Sequence, residues 1–205
     1  MESMLVPLIL FAFAAAITPG PNNIMIMVSG LNFGYRRSMP HLLGICFGVP
    51  VLLLAIGFGL GSLFELYPQL HEVIRIAGVL YLLFLAWLIA NAAPIDADHH
   101  VGKPLTFLQA ALFQWINPKT WVMGSSALAA YTDVSGDIYA QVVLITGVFF
   151  AFTFPSAGAW LVLGRSLRRF INNPRHQRWF NICMAVLLVG SLWPVVAEIW
   201  QQYAA

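Results

Sequence analysis

The first apolar segment of the chain is interrupted by Thr18-Pro19-Gly20-Pro21-Asn22-Asn23. Each proline lacks a backbone N–H and its ring clashes with the preceding helical turn, so a regular helix cannot run through these residues. The fourth apolar segment is interrupted by Gln114-Trp115-Ile116-Asn117-Pro118-Lys119. Asparagine at an N-cap followed by proline favours a helix start, so a half-helix is predicted after Asn117. We call residues 18–23 the first break and residues 114–119 the second break.

The surrounding sequence is too apolar for a protein that folds in water. Hydrophobic residues make up 60% of the 205 residues, charged residues make up only 9%, and the mean hydropathy is +0.80. Soluble domains carry about 25% charged residues. The composition therefore excludes a nucleic-acid-binding protein, a disordered chain and a small disulfide-stabilised secreted domain, and it indicates an integral membrane protein.

Six apolar segments are long enough to cross a bilayer, because a spanning helix needs about 20 apolar residues. We place them at 4–30, 40–64, 73–92, 105–131, 138–163 and 179–200. The loops between them are too short to hold a second domain. The predicted fold class is an all-α integral membrane protein with six transmembrane helices in a single domain, residues 1–205, in which the two breaks interrupt helices 1 and 4.

The two breaks occupy matching places in the two halves of the chain. Pro19 and Pro118 are 99 positions apart, and each lies near the middle of its span. With three spans per half, the second half enters the bilayer from the opposite side, and interrupted helices at matching positions are typical of transporters built from inverted repeats. We predict inverted-topology half-repeats at approximately 1–93 and 103–205, joined by a cytoplasmic loop at 94–104.

The distribution of basic residues predicts the orientation, because short cytoplasmic loops are enriched in lysine and arginine. The first, third and fifth loops hold Arg36, Arg37, Lys103, Arg165, Arg168, Arg169, Arg175 and Arg178, whereas the opposite side holds Arg75. We therefore expect these three loops in the cytoplasm and both termini on the periplasmic or outer side. Ala14-Ala15-Ala16 is similar to a signal-peptidase site, but the residues before it carry no positive charge, so we expect no cleavage.

Broken helices create binding groups for a zwitterion. The N-terminus of a half-helix presents unpaired N–H groups and the positive end of a dipole to an anion, whereas freed carbonyls attract a cation. A substrate carboxylate is expected near Asn22 or Asn117, and its ammonium near the carbonyls of Ile17 or Ile116. The candidate substrate-binding residues are Pro19, Gly20, Pro21, Asn22, Asn23, Gln114, Asn117, Pro118 and Lys119.

Polar residues near the breaks have structural alternatives. A lysine near the bilayer centre costs about 3 kcal/mol on insertion scales, so Lys119 either binds substrate or caps backbone carbonyls inside the bundle. Asn22 and Asn23 either contact substrate or cap the second half-helix. His41, at the inner mouth of span two, either titrates or bonds to a loop at the interface. No aspartate or glutamate lies in the middle of a span, so the proton-carrying residue is unassigned.

Two glycine pairs in span two, Gly44 with Gly48 and Gly57 with Gly61, allow helices to approach closely. These pairs favour packing within the chain. The alternatives are a sliding surface between helices or dimerisation, which would make the protein a homo-oligomer. Cys46 and Cys183 have no metal-ligand or redox spacing, so no metal site is predicted. Both cysteines are expected to be small buried hydrophobic residues.

The two breaks together resemble the motifs of the LysE/RhtB amino-acid exporters. Gly34-Tyr35-Arg36-Arg37-Ser38, Gly44 to Gly48 and Gly78 to Trp87 extend the resemblance over essentially the whole chain. It implies a multi-pass carrier of the bacterial inner membrane, without cofactor, that exports amino acids by secondary transport driven by the proton motive force. The sequence of the first break resembles that of the branch of the family that exports cysteine, O-acetylserine, threonine or homoserine. The resemblance assigns no role to the third loop, which holds Asp96, Asp98, His99 and His100.

Two other classes of function remain as alternatives. One alternative is a membrane channel or a non-transport membrane subunit. A channel would be expected to show rings of charge or a carbonyl filter, and neither is visible in the sequence, although a ring formed by several copies of the chain stays open. An intramembrane enzyme would need catalytic groups at depth. The chain has no HExxH motif, no GxSxG elbow and no midspan aspartate pair, so we predict that it is not an enzyme.

Overall fold

The computed structural model describes residues 2–60, 66–92, 103–133, 136–171 and 173–204, and within them the chain is helical without a strand. The helices are α1 (Glu2–Ile17), α2 (Pro21–Ala55), α3 (Pro68–Ala90), α4 (Phe107–Phe113), α5 (Pro118–Tyr131), α6 (Ile138–Leu167), α7 (Pro174–Gly190) and α8 (Trp193–Ala204). A π-helical turn, Ile56–Leu60, extends α2, and a 3₁₀ turn, Gln114–Ile116, follows α4. The predicted loop at 94–104 lies largely outside the described residues, as do Asp96, Asp98, His99 and His100.

The helix is interrupted at both predicted places. The first interruption separates α1, which ends at Ile17, from α2, which begins at Pro21. At the second, α4 passes into the 3₁₀ turn and α5 restarts at Pro118. Each restart has proline in its first turn, where the missing N–H would have had no helical partner.

The chain reverses direction inside α2, at Gly34. This glycine has φ 77° and ψ 176°, a conformation that residues with a Cβ rarely adopt. Ser29 Oγ and His41 Nδ1 lie 3.0 Å apart across the turn, although twelve residues of straight helix would separate them by about 18 Å. The predicted first loop, Asn32 to Ser38, is therefore a tight reversal between helical segments.

Among the described residues, three helical stretches are long and apolar enough by length and composition to cross a membrane: Pro21–Gly59, which includes the reversal at Gly34, Glu72–Ala90 and Ile138–Leu167. The other predicted spans consist of shorter helical pieces. The prediction of one continuous helix at 179–200 is wrong, because α7 ends at Gly190 and α8 begins at Trp193. Pro194 has no N–H to donate to the Gly190 carbonyl, which favours an end to α7. The six-span inverted repeat stays a prediction.

Two apolar clusters hold the described helices together. The first joins α1, α2, α4, α5 and α6 around Ile45, Leu53 and Phe149, and the second joins the start of α2 to α3 and α7 around Leu82 and Leu188. Large apolar side chains such as those of Phe13, Leu83, Trp87 and Val122 remain exposed on the outside. Such exposure suits a lipid environment and would be costly in water.

The first glycine pair of span two, Gly44 and Gly48, packs inside the chain, whereas Gly61 of the second pair lies outside the described residues. A Cβ on Gly44 would collide with Phe107 and Ala110 of α4, and one on Gly48 would lie 2.7 Å from Ala111 Cα. The packing role predicted for this pair is therefore confirmed. The expectation for the cysteines holds for Cys46, which is buried, and is wrong for Cys183, which is exposed on the outer surface of α7.

Candidate functional site

The two breaks meet, although about 100 residues separate them in sequence. Lys119 Nζ, from the start of α5, donates to the Thr18 carbonyl at 2.7 Å and lies 3.5 Å from the Pro19 carbonyl. Asn22 and Gln114 exchange two hydrogen bonds, with Nδ2 to Oε1 at 2.8 Å and Nε2 to Oδ1 at 3.0 Å. The first break is thus joined to the second by a cation and by a pair of amides.

The first break ends α1 with carbonyls that accept hydrogen bonds from other parts of the chain. Asn23 Nδ2 donates to the Ala16 carbonyl at 2.8 Å and to the Thr18 carbonyl at 2.9 Å. From α6, Ser156 Oγ donates to the Ala16 carbonyl at 2.7 Å and Trp160 Nε1 to the Ile17 carbonyl at 3.2 Å. Side-chain donors from two other helices therefore satisfy the C-terminal end of α1.

Asn22 and Asn23 do not cap the second half-helix, which was the structural role considered for them. Gly20 occupies the N-cap of α2, and no side chain caps that helix. Asn23, which is 5% exposed, turns back to the end of α1 instead, and Asn22 reaches across to Gln114. The positive end of the α2 dipole is thus left without a side-chain acceptor, as an anion site requires.

The second break satisfies its own backbone. Asn117 is the N-cap of α5, and its Oδ1 accepts a hydrogen bond from Lys119 N at 3.2 Å, which confirms the predicted restart. Trp121 Nε1 donates to the Trp115 carbonyl at 2.8 Å. Gln114 is fully buried and oriented by bonds to the Ala110 carbonyl and from Thr120 Oγ1.

Gly20 provides the space in which Lys119 lies. A Cβ on this glycine would be 2.6 Å from Lys119 Cδ and 3.1 Å from Nζ. Its φ of 179° is open to any residue, so the reason for glycine here is the close approach of the lysine. Lys119 has no carboxylate partner among the described residues, and backbone carbonyls are the partners of its ammonium.

Each break also packs against the other half of the chain. The first break receives Ser156 and Trp160 from α6, and the second lies against Gly48 of α2, whose added Cβ would be 2.8 Å from Gln114 Cγ. In the predicted spans, α6 is the middle span of the second half, and the segment with Gly48 is the middle span of the first. The packing is therefore reciprocal between the halves.

A cavity of about 440 Å³ lies one helical turn beyond the first break, between α2, α3 and the residues before α4. Its polar lining comes from Ser29, Asn32, Asn91 and Lys103. Ser29 is also the hydrogen-bond partner of His41, which is 2% exposed. The expectation that His41 bonds to a loop at the interface is wrong, because the reversal at Gly34 buries it against the preceding helical segment.

The structure brings most of the predicted residues to the junction of the breaks: Pro19, Gly20, Asn22, Asn23, Gln114, Asn117 and Lys119. Pro21 and Pro118 begin the two restarted helices. Sequence reasoning missed Ser156, Trp160 and Thr120, which also bond at the breaks. The sequence offered a signal for two of them, since Ser156 and Thr120 are small polar residues inside apolar spans. Ser156 lies next to Pro155, and Thr120 lies next to Lys119.

Comparison with known proteins identifies relatives along most of the chain. A family model described as LysE type translocator matches residues 13–191. The chain is 30% identical over 189 residues to the cysteine/O-acetylserine efflux protein of Shigella flexneri serotype 5b (strain 8401), covering 89% of this chain and 95% of the relative. It is 30% identical over 180 residues to the protein of the same description from Escherichia coli (strain K12), covering 87% and 90%. No solved structure matches the chain significantly.

Proposed function

The chain belongs to the LysE type translocator family, and on that basis we propose that it exports cysteine, O-acetylserine or a closely related small amino acid from the cytoplasm. The proposed substrate class comes from the relatives described as cysteine/O-acetylserine efflux proteins. The proposed location is the bacterial inner membrane. In this proposal the protein acts as a secondary transporter driven by the proton motive force, and not as an enzyme.

One observation carries this proposal: the ammonium of Lys119 lies on the carbonyls of Thr18 and Pro19. Because these carbonyls bind a primary ammonium of the protein, they are also suitable acceptors for the primary ammonium of an amino acid. The uncapped N-terminus of α2, beginning after Gly20, lies beside it and provides N–H groups for a carboxylate. Both ends of a zwitterion thus have complementary groups within one junction.

Binding proceeds as an exchange of partners. The substrate ammonium takes the carbonyls of the first break, and Lys119 moves to the substrate carboxylate, where the dipole of α2 adds to the attraction. No buried charge is left without a partner at either stage, which matters because an unpaired charge in low dielectric is costly. The amide pair of Asn22 and Gln114 keeps the two breaks in register during the exchange.

The cavity beside Ser29 and Asn32 is the proposed entry route from the cytoplasm. Its volume of about 440 Å³ exceeds that of a small amino acid, and one of its walls, Met25, lies less than one turn from Asn22. The basic loops predicted to be cytoplasmic are at this end of the molecule, with Lys103 on the cavity wall. Both termini would then face the periplasm.

Alternating access follows from the inverted half-repeats predicted at 1–93 and 103–205. The reciprocal packing, with α6 on the first break and the Gly48 segment on the second, is the pattern that a two-fold axis in the membrane plane would produce, and it supports the proposal. Rocking one half against the other around the junction would close the entry cavity and open the site outward.

The proposal is tested by uptake of radiolabelled cysteine and O-acetylserine into inside-out membrane vesicles that contain the protein. We expect saturable uptake that a proton gradient drives and an uncoupler abolishes. Lys119→Ala should sharply raise the half-saturating substrate concentration. Arg178→Ala is the matched control, because it also removes a positive charge, from an exposed residue of α7 that lies outside the junction and does not line the entry cavity.

The outcomes separate the alternatives. Unsaturable flux that the uncoupler does not change would indicate a channel. Absence of flux for every amino acid tested, with the protein correctly inserted, would leave a non-transport membrane subunit. Equal uptake by the Lys119→Ala variant, the control variant and the unmodified protein would show transport through a site other than the junction.

A further inference from the structure

We propose that Tyr35, Arg165, Ser166 and Arg169 form a binding site for the phosphate of an anionic phospholipid headgroup. These four residues and Val162 line a cavity of about 450 Å³ at the end of α6. Arg165 lies in the last turn of α6 and Arg169 in the turn that follows its end at Leu167, and both side chains line the same cavity. Guanidinium groups match phosphate oxygens in geometry as well as charge, and the two hydroxyls add neutral donors.

The position of the cavity along α6 selects a lipid as the source of the phosphate. Thirty residues of helix extend about 45 Å, whereas the hydrocarbon core is about 30 Å thick. If α6 is centred in the bilayer, Val162 lies at the edge of the hydrocarbon, and Arg165, Ser166 and Arg169 lie in the headgroup layer. Val162, which is 50% exposed, then contacts the start of an acyl chain while the arginines hold the headgroup.

The reversal at Gly34 completes the site. Arg168 Nη1 lies 3.7 Å from the position of a Cβ on Gly34, which places the turn against the end of α6. The next residue, Tyr35, reaches the cavity from α2, and its side chain is 38% exposed. The lipid would thus bridge the turn inside α2 and the end of α6, and it would stabilise their contact.

Two general roles of arginine account for the charges but not for the cavity. Basic residues favour the C-terminal end of a helix and the cytoplasmic side of a membrane, wherever they point. Neither role needs a tyrosine and a serine beside two arginines. Neither guanidinium has a carboxylate or backbone partner among the described residues, so both are free to bind an anion. The inference rests on membrane insertion and does not depend on the proposed transport.

The experiment compares two charge-matched double variants of the full chain in neutral detergent. R165Q/R169Q removes the proposed ligands, and R175Q/R178Q removes two exposed arginines of α7 that do not line the cavity. Native mass spectrometry measures binding of phosphatidylglycerol and of phosphatidylcholine with the same acyl chains, and thermal unfolding without lipid checks that both variants fold.

We expect R165Q/R169Q to bind phosphatidylglycerol about thirtyfold more weakly than the unmodified chain, since each basic residue at an anionic surface contributes roughly fivefold. R175Q/R178Q should bind it as the unmodified chain does, and phosphatidylcholine should bind weakly to all three. Equal weakening in both double variants would overturn the site. Competition by inorganic phosphate at the concentration at which the lipid binds would overturn the lipid assignment in favour of a free phosphate.

Discussion

The first and second breaks have similar sequences of proline and asparagine but satisfy their backbones in different ways. The second break is self-contained, with Asn117 capping α5 and Trp121 bonding to the Trp115 carbonyl. The first break has one local donor, Asn23, and otherwise depends on distant donors, namely Lys119 from the second break and Ser156 and Trp160 from α6. Its own N-cap, Gly20, contributes no side chain.

This difference suggests a division of roles between the two breaks. A break that is capped locally holds its geometry and can present Lys119 and Gln114 as fixed groups. A break in which a lysine ammonium from elsewhere in the chain binds a carbonyl can exchange that donor for another ammonium. We therefore assign substrate exchange to the first break and support to the second, and the following changes test that assignment.

Lys119→Ala should have the largest effect. It removes the ammonium that pairs with the substrate carboxylate in the bound state, and loss of one such charge-assisted hydrogen bond corresponds to about a 100-fold rise in half-saturating substrate concentration. The melting temperature should change little, because the variant also avoids the free-energy cost of placing a lysine near the centre of the bilayer. Initial rates of amino-acid uptake in inside-out vesicles measure the effect. A variant with unchanged half-saturation would contradict the assigned role of the lysine.

Gly20→Ala should have the second largest effect, through space and not through backbone strain. Its Cβ would lie 2.6 Å from Lys119 Cδ and displace the end of a flexible side chain. We expect about a tenfold rise in half-saturating concentration, smaller than for loss of the ammonium. In a Lys119→Ala background the same change should have almost no further effect, since the atom it displaces is gone. Additive effects in the double variant would separate Gly20 from Lys119.

The Asn22 and Gln114 pair should show a moderate coupling between the halves. Asn22→Ala and Gln114→Ala each remove both reciprocal hydrogen bonds, so each should lower stability by about 1–2 kcal/mol. Because either change removes the same contact, the double variant should be less destabilised than the sum, with a coupling of about 1 kcal/mol. Urea-induced or thermal unfolding of the four proteins in one detergent measures it. Full additivity would mean that the pair does not join the breaks.

Asn117→Ala should have the smallest effect and should act on stability. Loss of an N-cap costs about 1 kcal/mol and should lower the melting temperature by roughly 2–4 °C. Asn117→Ser should restore most of this loss, because serine is an equally good N-cap and adds no charge at this buried position. Differential scanning fluorimetry of the two variants measures the difference. Equal melting temperatures for the alanine and serine variants would remove the evidence that the second break is capped locally.

Much of this arrangement could be predicted from the sequence because its signals are local. Proline chemistry marks both breaks, and Asn117-Pro118 marks the restart of α5. The donors of the first break could not be predicted, because Ser156 and Trp160 are ordinary residues of an apolar span until α6 folds against α1. The burial of His41 and the end of α7 at Gly190 likewise depend on the reversal at Gly34 and on Pro194, whose effects a hydropathy pattern does not register.

The most direct test of a single site built from both breaks uses the two lysines of the sequence, Lys103 and Lys119. The purified protein is treated with an amine-reactive reagent in large excess over the substrate, whose own amino group also consumes reagent, and modification of Lys119 is quantified relative to that of Lys103 by mass spectrometry at increasing substrate concentrations. We predict that substrate protects Lys119 but not Lys103, and that Asn22→Ala, a change in the other break, shifts protection to higher substrate concentrations. Equal modification of Lys119 with and without substrate, or a protection curve that Asn22→Ala leaves unmoved, would contradict the shared site.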